Sequence, residues 1–179
     1  GRQDGLALFD LTADGFWNSF FAIIVALPVL LATWVPVANE ASGPDAAFSL
    51  RLAYVARLAV IDLATWIVPL IMFAIVVRPT GLADRFVPYV VANNWGSALL
   101  IWLTLPIVLL DLVWPVGSVP TDFAALLIVL ATLALGWRLT NAALARGPAI
   151  ASGVFFGMLA ASLAVLLSLQ TLLGVSVPA

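Results

Sequence analysis

Five runs of roughly 20 residues or a little more, almost free of charge, account for most of the chain: Phe16–Val37, Leu52–Val77, Phe86–Leu112, Asp122–Leu139 and Ala149–Val175. One helix crosses a hydrocarbon layer about 30 Å thick with about 20 apolar residues. Backbone amides cannot be left unpaired in that layer, so each run is expected to be a helix. Of the 179 residues, 64% are hydrophobic and 9% charged, against about 25% charged in soluble domains. A chain this small cannot bury so much apolar surface against itself. The expected fold is all-α: a polytopic integral membrane protein with five transmembrane helices in a compact bundle, the lipid bilayer being its first partner.

The punctuation fits that division. Thr12 with Asp14 resembles a helix start, Arg78-Pro79-Thr80-Gly81 and Trp114-Pro115-Val116-Gly117 read as turns, and Thr121-Asp122 reads as a cap for the fourth helix. Gly147-Pro148 ends an extension of that helix through Asn141–Arg146. Residues 1–15 are expected to be a cytoplasmic tail or a short interfacial helix, with Leu6-Ala7-Leu8-Phe9 beside Asp4, Asp10 and Asp14. Residues 16–179 then form one transmembrane domain, whose longest hydrophilic link is Ala38–Leu50. The opening Gly1 suggests a stretch processed or omitted before it, and no cleavable signal peptide is visible.

With no Cys and no His, the chain lacks thiolate and imidazole ligands for metals, haem or pigments and lacks the usual nucleophile and base pair. No cofactor and no metal are expected. All seven basic residues are Arg and the net charge is −2, which leaves no polybasic surface for nucleic acid. No phosphate loop, nucleophile motif or carboxylate pair is present, and Ser19, Thr65, Thr104 and Thr132 sit singly in apolar runs. An enzyme is therefore not expected.

Arginines mark the cytoplasmic side of a membrane protein. Arg2, Arg78, Arg85, Arg138 and Arg146 fall on the side of the N-terminus, Arg51 and Arg57 on the other. The expected topology is N-terminus cytoplasmic, C-terminus periplasmic. Trp17, Trp34, Trp114 and Trp137 lie near span ends, where indoles favour the headgroups, whereas Trp66, Trp95 and Trp102 lie deeper and are expected to fill gaps between helices.

Polar residues inside the spans are the site candidates. Asp62 in the second span costs a few kcal/mol to place there, so it is either part of a helix-helix or interfacial ion pair or part of a proton or ion pathway. Arg57, five residues earlier, sits about 140° away around the helix and can snorkel to the headgroups instead. Asp111, at the outer end of the third span, is placed to meet Arg51 or Arg57, or to line a conduction path. Asn93 and Asn94, with Gly96 and Ser97, form the one dense polar patch, readable as interhelical glue or as a small polar binding site. Gly153, Gly157 and Ala161 recur every four residues and give the fifth span a smooth face for a close helix, in the same chain or in a partner. Ala160, Ala164 and Ser168 form a second such stripe.

The stretch Leu11–Phe20 (LTADGFWNSF), the segment Trp66–Pro106 and the link from Leu135-Gly136-Trp137-Arg138 to Arg146-Gly147 resemble the Yip family of five-span membrane proteins, interactors of Rab GTPases in eukaryotes with relatives in bacteria. The long acidic cytoplasmic domain of the eukaryotic members is missing, and Gly15 is followed by Phe16 where those members tend to have Pro. Rab binding is therefore not carried over. The resemblance implies a non-enzymatic protein of membrane organisation, trafficking or assembly. Richness in Ala, Val, Leu and Arg without Lys points to a GC-rich bacterial genome and an inner membrane. Two functions follow as expectations: a scaffold or accessory subunit docking other membrane proteins or a second copy of itself, or a small transporter or channel using Asp62, Asp111 and the Asn93–Asn94 patch. Convergence of those polar positions on one cavity, or their scatter, separates the two.

Overall fold

A computed structural model describes residues 8–113 and 119–175, without the side chains of residues 110–122. Among the described residues six α-helices follow in order: α1 (Ala13–Asn18), α2 (Phe21–Ser42), α3 (Phe48–Val76), α4 (Phe86–Val113), α5 (Val119–Leu144) and α6 (Pro148–Leu173). One 3₁₀ turn, Ala83–Arg85, leads into α4. Counting α1 with α2, five helical segments are long and apolar enough to cross a membrane, so the chain is an all-α, multi-pass membrane protein.

Local chemistry explains the boundaries. Thr12 caps α1 by accepting the Gly15 N–H at 3.2 Å, and its own N–H and hydroxyl donate to Asp10 Oδ1. Those two bonds hold the Asp10 carboxyl below its ordinary pKa. Helical structure thus begins at Ala13, three residues before the expected span, and breaks at Ser19–Phe20. The α2–α3 link is shorter than the sequence suggested. The helix continues past Ala38 to Ser42, because Asn39 and Glu40 extend it beyond the apolar run, and Gly43 ends it at φ +84°. Thr121 and Asp122 fall within the first turn of α5, which starts at Val119 rather than at a Thr121 cap. The Trp114–Gly117 turn lies outside the described residues. Between α5 and α6, Ala145 and Gly147 both take positive φ, and Pro148 opens α6 where its missing N–H costs nothing.

The long helices close a ring: α2 packs on α3 and α4, α4 on α5, α5 on α6, and α6 on α3. Although consecutive, α3 and α4 lie across that ring from one another, with Trp66 reaching between them. On the α2 side, Ala22, Ala26 and Ala98 are 0–1% exposed and bring α2 against α4. At the end carrying α1, a core of Leu70, Phe73, Val77, Leu82, Tyr89 and Val90 is covered by Phe16, Phe20 and Phe86. Two glycines permit close approach. A Cβ at Gly96 would run into the Leu139 side chain, and one at Gly136 would meet Phe155 Cε2 at 3.3 Å. Outward, Ile24, Ile75, Leu99, Phe156 and Leu167 stand exposed, as a lipid solvent requires.

Candidate functional site

Among the described residues, the intramembrane polar candidates divide into three separate places. Asp62 on α3 accepts the Trp34 indole N–H from α2 at 2.6 Å. Trp34 is buried, so its place is this interhelical bond and not the headgroup belt expected of it. Arg57 is exposed and makes no ion pair among the described residues, as its 140° offset from Asp62 implies. Arg51 donates instead to the carbonyls of Gly43 and Pro44, at 3.2 and 2.7 Å, closing the α2–α3 link. The Asp111 side chain lies outside the described residues.

Asn94, fully buried, is the second place. Its Oδ1 accepts the Trp66 indole N–H at 3.0 Å, and its Nδ2 donates to Ser19 Oγ at 2.9 Å. Ser19 in turn donates to the Phe16 carbonyl at 2.7 Å. One amide thus ties the α1–α2 break to α3 and α4, which is the glue reading of the patch. Prolines leave carbonyls that side chains then use. Pro69 has no N–H for the Thr65 carbonyl, and Ser162 Oγ on α6 donates to it at 3.4 Å. Pro28 does the same to Ile24, and Trp102 donates to the next carbonyl, Val25, at 2.9 Å.

Asn93 faces the other way, into the third place: a cavity of about 240 Å³ among α3, α4, α5 and α6. Asn93, Gly96, Ser97 and Leu100 form one face of α4 at helical spacing, and Thr132, Gly136, Leu139 and Thr140 do the same on α5. Thr65 and Ser162 add hydroxyls, while Phe155, Met158 and Leu159 supply an apolar wall. Hydroxyls that stand alone in the sequence are therefore gathered in space. The signal was present as i, i+4 pairs (Asn93/Ser97), but the partners on other helices are not visible in one dimension.

The Gly153, Gly157 and Ala161 stripe is not an internal packing face. A Cβ at Gly153 or Gly157 would meet nothing within 4 Å, because α6 touches α3 and α5 along other faces. The stripe lines an open apolar groove of about 480 Å³ between α6 and α3, walled by Pro69, Met72 and Val76 on the α3 side. The close packing that the sequence assigned to these glycines is carried by Gly96, Gly136 and the Ala22–Ala26–Ala98 contact.

At the end carrying α1, Arg146 in the α5–α6 link donates to both carboxylate oxygens of Asp84, at 2.9 and 2.8 Å. Both bonds come from Nη2; they tie that link to the turn before α4, a contact the sequence gives no sign of. No family model, no curated protein and no solved structure matches the chain.

Proposed function

We propose that the protein is a non-enzymatic scaffold or accessory subunit that docks another membrane protein in the groove between α6 and α3. The observation that carries this reading is the unfilled space above Gly153 and Gly157. From Gly153 to Ala161 the stripe runs two turns, about 12 Å, with backbone at its floor. In lipid, association depends on such close approach, because apolar side chains gain little by leaving one hydrocarbon for another. Met72 and Met158 on its walls adapt their shape to a partner's side chains.

The transporter reading needs Asp62, Asp111 and the Asn93–Asn94 patch on one path, and the Asp111 side chain lies outside the described residues. Asp62 is bound to Trp34 and Asn94 to Trp66 and Ser19, and of Asp62, Asn93 and Asn94 only Asn93 lines the cavity; that scatter favours docking. A Yip-like kinship belongs to the same proposal. So does residence in a bacterial inner membrane with a cytoplasmic N-terminus and periplasmic C-terminus, which rests on the arginine distribution and the composition.

The test is co-purification from native membranes in polymer discs. The wild-type chain is expected to carry a membrane protein at fixed stoichiometry, and Gly157→Leu to lose it at unchanged folded yield. Retention of the partner by Gly157→Leu, or the absence of any partner, refutes docking through this groove. Loss of self-association alone assigns the groove to a second copy of the chain and overturns the heterologous reading.

A further inference from the structure

The cavity among α3, α4, α5 and α6 carries more than the docking proposal uses; of its lining residues, Met158 alone also lines the α6–α3 groove. Among the described residues, Thr132 Oγ1 is buried with no hydrogen-bond partner, and Asn93 and Ser97, both half-buried, make no hydrogen bond. The other hydroxyls are engaged. Thr65 donates to the Ile61 carbonyl at 2.7 Å, Ser162 to the Thr65 carbonyl at 3.4 Å, and Thr140 is paired with Tyr89. At this depth no bulk water compensates an unpaired polar group. One buried and two half-buried polar groups, all unpaired and lining one space, therefore call for an occupant.

The lining defines that occupant. Among the described residues no Asp, Glu or Arg faces the cavity, so an ion inside would find no counter-charge from them in a medium of low dielectric. An amide and two hydroxyls each offer both a donor and an acceptor, and they match a hydroxyl or amide group. Leu133, Phe155, Met158 and Leu159 make the remaining wall apolar. As for size, an apolar cavity of about 150 Å³ takes benzene, so about 240 Å³ takes a molecule of about ten non-hydrogen atoms. We propose that the cavity is a binding site for a small uncharged amphiphile, with a hydroxyl or amide head held by Asn93, Ser97 and Thr132 and a hydrocarbon body against α6. Such a molecule would enter from the bilayer.

Octan-1-ol is the probe, with octane-1-sulfonate and octyltrimethylammonium as fixed-charge counterparts on the same body. Thermal unfolding of the full chain in nanodiscs is measured against the free concentration of each. Octan-1-ol is expected to raise the midpoint saturably, and neither charged compound to do so. Thr132→Val, nearly isosteric, is expected to weaken the octanol response about five- to tenfold, the loss of one hydrogen bond. Ser97→Leu, which fills the space, is expected to abolish it. Should Ser97→Leu fail to fold, Thr132→Val with Ser97→Ala gives the same comparison without added volume. A crystal soaked with 8-bromooctan-1-ol is expected to show an anomalous bromine peak between α4 and α6. The proposal is overturned if octanol gives no saturable shift, if the charged compounds shift the midpoint equally, if Thr132→Val responds as the wild type does, or if bromine appears only at the lipid-facing surface.

Discussion

Asn94→Leu is the substitution that most directly probes what holds the ring together. Asn94 is 0% exposed and makes two interhelical bonds, to Trp66 at 3.0 Å and Ser19 at 2.9 Å. Leucine is close in size and apolar, so the change removes the bonds without opening a large cavity. Ser19 keeps its bond to the Phe16 carbonyl and loses only a donor. The Trp66 indole N–H loses its one acceptor and stays inside the bundle, which costs about 1–3 kcal/mol for a buried orphan. Interhelical hydrogen bonds in membranes average about 0.6 kcal/mol, which sets the lower end for the Ser19 contact. The expected loss is about 2–3 kcal/mol. Equilibrium unfolding in bicelles measures it, and a double-mutant cycle with Trp66→Phe isolates the pair. Once the indole N–H is gone, Asn94→Leu should cost about 1 kcal/mol less than in the wild type. A loss below about 0.5 kcal/mol for Asn94→Leu, or strict additivity with Trp66→Phe, refutes the claim that this amide joins α1–α2 to α3 and α4.

Three further outcomes are expected, each read by the same unfolding measurement. Gly157→Leu should leave stability unchanged or raise it by up to about 1 kcal/mol, since the position is open and Gly is a poor helix former; Gly96→Ala meets only the end of the Leu139 side chain, which has the cavity to turn into, and should change stability by no more than about 1 kcal/mol. Asp62→Leu should cost about 1–3 kcal/mol by orphaning the Trp34 N–H, whereas Asp62→Asn, which keeps an acceptor for it, should cost less than about 1 kcal/mol; proteoliposome ion flux that Asp62→Asn abolishes at unchanged stability would move Asp62 into a conduction path. Arg146→Gln breaks a solvent-exposed pair with Asp84 and should lower stability only slightly, with the difference vanishing in high salt.

The existence and order of the spans were legible because length and apolarity alone decide what crosses a bilayer. Which face of each span looks inward was not. In water, a helix marks its core side by apolar residues on one stripe, but here lipid is as apolar as the interior, and the helices are apolar all round. The stripe of Gly153, Gly157 and Ala161 was therefore legible as small and illegible as unpacked. Gly96 and Gly136 gave no repeating pattern, yet they are where Leu139 and Phe155 press closest. Trp34 could not be told from a belt residue, because its partner Asp62 lies 28 positions away on another helix. The Asn93–Asn94 patch looked like one feature. Successive helical residues diverge by about 100°, which sends Asn94 toward Trp66 and Ser19 and Asn93 into the cavity.

Photo-crosslinking in intact membranes reads out whether the α6–α3 groove holds a partner protein. A benzophenone side chain placed at position 157 projects into the groove, while one at position 163, about 120° round the same helix and exposed at Leu163, projects elsewhere. One protein adduct of fixed mass is expected from position 157 and lipid adducts alone from position 163. Lipid adducts alone from both positions, or the same protein adduct from both, would contradict docking there.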